Sequence, residues 1–131
     1  MAQILIIPTK DRDPDDQKRR SIHVAPDIVL ERIGNSVTWS ICCPHAEEVQ
    51  DVVIEFENNK NHYFTSEKPP HICRRSVDRK TGRVLIRGRV PLALDSDQPD
   101  LPEEDKYTVR VFYSNGKPWA QKDPKIVKDK P

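Results

Sequence analysis

Twelve prolines punctuate this chain of 131 residues, against only four glycines. Proline has no backbone N–H to donate and its ring breaks a helix interior, so it is confined to turns, loops, edges and element starts. Pro8, Pro26, Pro44, Pro69-Pro70, Pro91, Pro118 and Pro124 therefore divide the chain into short segments joined by many connections. A helical bundle of this length would struggle with such a density. Hydrophobic residues make up 35% and charged residues 33% of the chain. The apolar residues cluster in short runs, which favours a folded domain over disorder. The length suits one domain, residues 1–131, with one sizeable core.

Several segments alternate with the two-residue period of a half-buried strand. The clearest follows a Gly34-Asn35 turn. Val37, Trp39, Ile41 and Cys43 interleave with Thr38, Ser40 and Cys42 until Pro44 ends the run. Val52, Ile54 and Phe56 alternate with Asp51 and Glu55, and Tyr107, Val109, Val111 and Tyr113 alternate with Thr108, Arg110 and Phe112. Ile4 to Ile7, closed by Pro8, reads as a first strand. Ser21 to Ile33 reads as two strands broken at Pro26, because its β-branched residues suit strands better than a helix. His62-Tyr63-Phe64 reads as a short strand. His71–Val77 is expected to pair with Arg83–Val90 across a loop ending in Gly82, as a bulged hairpin. Asn115-Gly116 is a type I′ hairpin signal, leading into a return arm from Pro118 and a last strand at Lys125–Lys128. Lys10–Arg20 and the acidic stretch Pro91–Asp105 read as loops. The expected fold is all-β: an antiparallel sandwich of seven to nine strands, with no crossover helices to impose parallel order.

Two stretches carry family resemblances. Asp105-Lys-Tyr-Thr-Val-Arg-Val-Phe-Tyr-Ser-Asn-Gly116 resembles the penultimate strand of immunoglobulin-like and filamin-like domains. Ile33-Gly-Asn-Ser-Val-Thr-Trp-Ser-Ile41 resembles the Gly-x-x-Val-x-Trp strand of cupredoxins. The resemblance implies a sandwich without copper chemistry, since cupredoxins draw Cys, His and usually Met ligands from a C-terminal loop. Here no Cys or His follows Cys73, and the single Met is Met1. Asp123-Pro124-Lys-Ile-Val is similar to a segment of the DP-EP family, a group of uncharacterised bacterial sandwiches.

The formal net charge of +1 supplies no global attraction to nucleic acid or an anionic membrane. No run approaches the roughly 20 apolar residues needed to span a bilayer. The first residues do not read as a signal peptide, since no basic region precedes their short apolar run and Pro8 stops it. A cytoplasmic protein with reduced thiols is the expectation, and three cysteines cannot complete a disulfide framework within one chain.

Candidate chemistry is sparse. Cys43, His45, His71 and Cys73 are ligand types that zinc or copper prefers, and residues two apart on a strand share a face. The spacing departs from Cys-x2-Cys and Pro44 interrupts it, so the ordinary reading is a core Cys43 with loop histidines. A nucleophilic Cys42 or Cys43 beside His45, His62 or His71 would need an oriented base that no local signature supplies. Asp95, Asp97, Asp100 and Glu103 to Asp105 offer hard oxygens to calcium, without the glycine and spacing of the helix-loop-helix motif. His23 and Asp27 could form an acid–base pair, although Pro26 separates them. Arg74, Arg75, Arg79, Lys80, Arg83, Arg87 and Arg89 form a basic stretch that could touch phosphates, but no nucleic-acid module accompanies them. Trp39 reads as core. Trp119, beside Pro118, is expected to be partly exposed, either anchoring a partner or capping the end of the sandwich.

No catalytic motif stands out. The expected function is a non-catalytic binding domain without a cofactor. Its partner would be a protein, met at Arg83, Arg87, Arg89 and Trp119 or along an exposed sheet edge, and a homo-oligomer is compatible with this reading. The alternative is a zinc or copper protein using the four Cys/His residues.

Overall fold

The computed structural model describes residues 2–10, 20–44, 48–57, 61–92 and 103–129. They contain ten strands and no helix: β1 (Ala2–Lys10), β2 (Arg20–Ala25), β3 (Ile28–Arg32), β4 (Ser36–Cys42), β5 (Val49–Phe56), β6 (Ile72–Ser76), β7 (Arg83–Arg89), β8 (Glu103–Tyr113), β9 (Pro118–Lys122) and β10 (Lys125–Asp129). Two sheets face each other. One has the order β2-β1-β4-β7, and the other runs β3-β10-β8-β5-β6 with β9 also on β8.

The alternation works as period two requires. Val37, Trp39 and Ile41 of β4 point inward, as do Val52, Ile54 and Phe56 of β5 and Tyr107, Val109 and Val111 of β8. Trp39 is fully enclosed, with its ring 5.5 Å from Phe64, 5.8 Å from Tyr107 and 6.2 Å from Phe56. Its indole N–H donates to the Tyr107 hydroxyl at 3.3 Å, so the buried polar atom keeps a partner.

Both sheets are mixed. β1 lies parallel to β4, and β3 lies parallel to β10. Neither parallel pair needs a helical crossover, because each connection passes through the opposite sheet. The chain runs β1-β2 in the four-stranded sheet, enters the other as β3 and returns as β4. Pro8 does not close the first strand. β1 continues to Lys10, and Pro8 is tolerated because the pairing with β4 has ended at Ile6.

The expected hairpin between His71–Val77 and Arg83–Val90 does not form. β6 pairs with β5, and β7 pairs with β4 in the other sheet. The loop bends as expected, with Gly82 at φ 68° and its N–H donating to Asp78 O. The bend crosses between sheets instead of folding one strand back on the other. The Asn115-Gly116 connection does join β8 to β9, with a different turn. Gly116 alone is left-handed (φ 83°), its N–H returns to Tyr113 O, and a bulge follows at Val111/Phe112. That is a three-residue loop, since a type I′ turn would need Asn115 left-handed too.

Segment 61–64 is not a strand. Tyr63 and Phe64 are buried in the core, and Tyr63 stacks on Phe56 at 3.8 Å. The segment lies against β7, where Arg89 N–H donates to Tyr63 O. Gly88 permits this approach: a Cβ there would stand 3.0 Å from Tyr63 O and 3.1 Å from Trp39 Cζ3.

Candidate binding face on the four-stranded sheet

β4 and β7 turn their apolar side chains inward, so the alternate residues make the outer face. Register fixes the rows. Leu5, Ser40 and Leu85 stand side by side, Gln3, Thr38 and Arg87 form the next row, and Cys42 sits opposite Arg83. Small Ser40 between two leucines leaves a groove of about 540 Å³, with Leu5 and Leu85 as walls and the Cys42–Arg83 pair at one end. A smaller depression of about 410 Å³ adjoins it at Ser40 and Leu85 and extends to Thr38 and Arg87. Leu5 is 39% and Leu85 56% exposed, so both ridges offer apolar surface to an incoming group.

Arg83, Arg87 and Arg89 are all exposed on this face of β7. Their charges differ from those elsewhere. Arg32 meets Asp129, Arg74 meets Asp51, Arg75 meets Glu67 and Arg110 meets Glu55. Among the described residues, the three β7 arginines have no carboxylate within salt-bridge distance. Sequence reading singled out these arginines but placed them on a hairpin with Arg74 and Arg75. The structure separates the two groups. Leu5, Leu85 and Ser40 were not singled out. The period-two pattern carried their signal, since Leu85 falls in phase with Arg83 and Arg87 rather than with Ile86.

Trp119 is not exposed. It is 5% accessible, packs on Tyr113 with ring centroids 4.9 Å apart, and donates its indole N–H to Ser21 O at 3.3 Å. Its physical role is to close the gap between β9 and β2, so it cannot serve as a surface anchor. Another exposed apolar pair, Ile28 (54%) and Leu30 (66%), lies on edge strand β3. Charges near it are compensated, with Arg32 on Asp129 and Lys125 on Glu104.

Three of the four candidate ligands, Cys43, His71 and Cys73, lie among the described residues. Cys43 is buried beyond β4 in one sheet, and Cys73 is buried on β6 in the other. Burial pushes the Cys73 thiol up to about 11, which opposes the thiolate a metal or nucleophile needs. His71 precedes β6 and its backbone carbonyl accepts from Phe56 N–H. His45 lies outside the described residues. Among those described, no group of three or more His, Cys, Asp or Glu side chains could hold a metal ion. Cys42, on the outer face, is separated from the core cysteines by its strand. His23 is exposed on β2.

The expected calcium loop is also redrawn. Asp95, Asp97 and Asp100 lie outside the described residues, whereas Glu103, Glu104 and Asp105 begin β8 and pair with β10. Asp105 points inward at 2% exposure and Lys128 of β10 meets it at 1%. Lys128 Nζ stands 3.0 Å from Asp105 Oδ2 and 3.5 Å from Glu103 Oε1, and the Tyr63 hydroxyl donates to Asp105 Oδ2 at 2.6 Å. Burial raises the Asp105 carboxyl above its ordinary value, against the hydrogen bonds from Tyr63 and Lys128. Burial and the same carboxylate push the Tyr63 phenol well up. The cluster ties segment 61–64, β8 and β10 together.

No protein-family model matches the chain, and no curated protein does. The DP-EP resemblance therefore has no support. Among solved structures the chain is similar to Lac15 from a marine microbial metagenome, with a TM-score of 0.47 and 8% identity over 99% of this chain and 32% of that one. It is also similar to a multicopper oxidase, with a TM-score of 0.43 and 12% identity over 97% of this chain and 43% of that one. The chain thus spans less than half the length of either. Both are β-rich, cupredoxin-like structures. The sandwich assignment rests on the sheet topology described above, and these distant likenesses add no chemistry to it. Among the described residues no helix is long and apolar enough to cross a membrane.

Proposed function

We propose that this domain is a non-catalytic recognition module that docks a protein partner on the outer face of its four-stranded sheet. The observation that supports it is the groove between exposed Leu5 and Leu85, lined by Arg83 and continued by a depression lined by Arg87, neither of which has a carboxylate within salt-bridge distance among the described residues. Apolar ridges in a pocket supply desolvation energy, and arginine at the rim supplies directed hydrogen bonds; interfaces are enriched in arginine for that reason. The core carries the fold, so this face is free to vary in what it recognises.

Panning a random heptapeptide phage library on the domain tests the proposal. Sequences should enrich on the native protein and lose binding to a Leu5→Ser/Leu85→Ser variant that unfolds at an unchanged urea midpoint. Enriched sequences that bind both proteins equally would contradict it.

A further inference from the structure

We infer that the partner includes an extended acidic segment that adds as an antiparallel strand to the open edge of β7, beside the Leu85 wall of the groove; this rests on the sheet face being the docking surface. β7 ends the order β2-β1-β4-β7, so among the described residues one side of its backbone has no partner strand. The phase of that side is visible at its C-terminal end. Val90 exchanges hydrogen bonds with Gly34 and Asn35 on the β4 side, whereas Arg89 N–H turns away to Tyr63 O. Backbone groups alternate along a strand, so Leu85 and Arg87 also turn their N–H and C=O away from β4. Segment 61–64 covers Arg89, and β7 itself pairs only with β4 among the described residues.

The side chains beside this edge specify what fits. Arg83, Leu85 and Arg87 stand in one row on the outer face, cation–apolar–cation. An added strand would set three alternate residues against them, and the complement is acid–x–apolar–x–acid. The pattern is symmetric. A second copy of this chain is a poor occupant: antiparallel β7 on β7 centred at Leu85 sets Arg83 opposite Arg87, and like charges directly opposite destabilise a sheet. The arginines that block self-pairing thus admit an acidic strand. A nucleic acid would use the arginines but leave Leu85 against phosphate and sugar, with no aromatic in the row for a base.

The probe is a blocked, fluorescein-labelled peptide with the core Glu-Thr-Leu-Thr-Glu, read by anisotropy against the full chain. Saturable binding is expected, weakening as salt rises because the ion pairs are exposed. Lysine in place of both glutamates should abolish it. Each reversal, Arg83→Glu or Arg87→Glu, should weaken it roughly tenfold, the sum of a lost pair and a new repulsion. In antiparallel addition the residues opposite Arg83, Leu85 and Arg87 exchange backbone hydrogen bonds with them. N-methylation of the Glu and Leu residues should therefore eliminate binding, and N-methylation of the two threonines should leave it. Equal binding of the two methylated peptides would overturn strand addition while leaving sheet-face docking intact. Tighter binding of a single-stranded DNA 20-mer, or a concentration-dependent dimer that protects the β7 amides without peptide, would overturn the acidic-peptide assignment. No binding of the Glu peptide would overturn it too, and the phage panning would then judge the wider proposal separately.

Discussion

Replacing Lys128 with methionine should cost more stability than any surface change in this protein. Lys128 is 1% exposed, with Asp105 Oδ2 at 3.0 Å and Glu103 Oε1 at 3.5 Å. Methionine fills the same volume but leaves two carboxylates facing each other, one of them 2% exposed. Breaking a buried pair by removing one partner costs about 3–5 kcal/mol, because the other charge stays uncompensated. The Asp105→Asn/Lys128→Met double variant should lose less, about 1–2 kcal/mol, since Asn still accepts from Tyr63 and no buried charge remains. Because Asp105→Asn alone also destabilises by stranding Lys128, the coupling between the two positions is at least about 1 kcal/mol. Urea unfolding at pH 7, followed by the fluorescence of buried Trp39, measures all four corners of the cycle. The pH dependence gives a second readout. Asp105 is already raised from 3.8 by burial, and losing Lys128 raises it further. The folded variant then takes up a proton that the unfolded chain does not, so its deficit should shrink as pH falls towards the carboxylate range. A single variant within about 1 kcal/mol of the native protein at pH 7, with additive effects in the cycle, would refute the reasoning.

Gly88→Ala should destabilise by about 1–3 kcal/mol, because the new Cβ meets backbone at Tyr63 and the ring of Trp39; an unchanged urea midpoint would show that segment 61–64 does not press on β7. With a chromogenic disulfide reagent at pH 8, Cys42 should react quickly and Cys43 and Cys73 only on unfolding, since the first lies in the groove and the others are buried. Equal rates for all three thiols would contradict the placement of β4 and β6. The Cys73 thiol is raised from 9.0 to about 11, so the folded state keeps a proton that the unfolded chain loses in that window. Stability should fall as pH rises above 9, at up to about 1.4 kcal/mol per pH unit, and Cys73→Ala should flatten the slope.

Local alternation made much of the fold legible. The inward faces of β4, β5 and β8 follow from Val37-x-Trp39-x-Ile41 and its counterparts, and Pro26 does separate β2 from β3. Partner choice was not legible. A polar bend ending in Gly82 serves a hairpin or a crossing between sheets equally well, and only the core decides that β6 joins β5. Parallel β1–β4 pairing escaped for the same reason. The buried charges had a readable signal: Lys128 is in phase with Ile126, and Asp105 with Tyr107 and Val109. A lysine and an aspartate on two inward faces can bury each other. Trp119 misled because a turn-side proline suggests exposure, whereas its indole finds Ser21 O across the sheet gap. The arginine row on β7 was visible residue by residue, but its lack of acidic partners among the described residues depends on tertiary distances.

An amide NMR titration with the heptapeptide most enriched in panning tests the docking face most directly. The account predicts shifts concentrated at Leu5, Ser40, Leu85 and Arg87, with core amides such as Ile54 and Val109 unmoved. Shifts concentrated instead at Ile28 and Leu30 on β3 would contradict it.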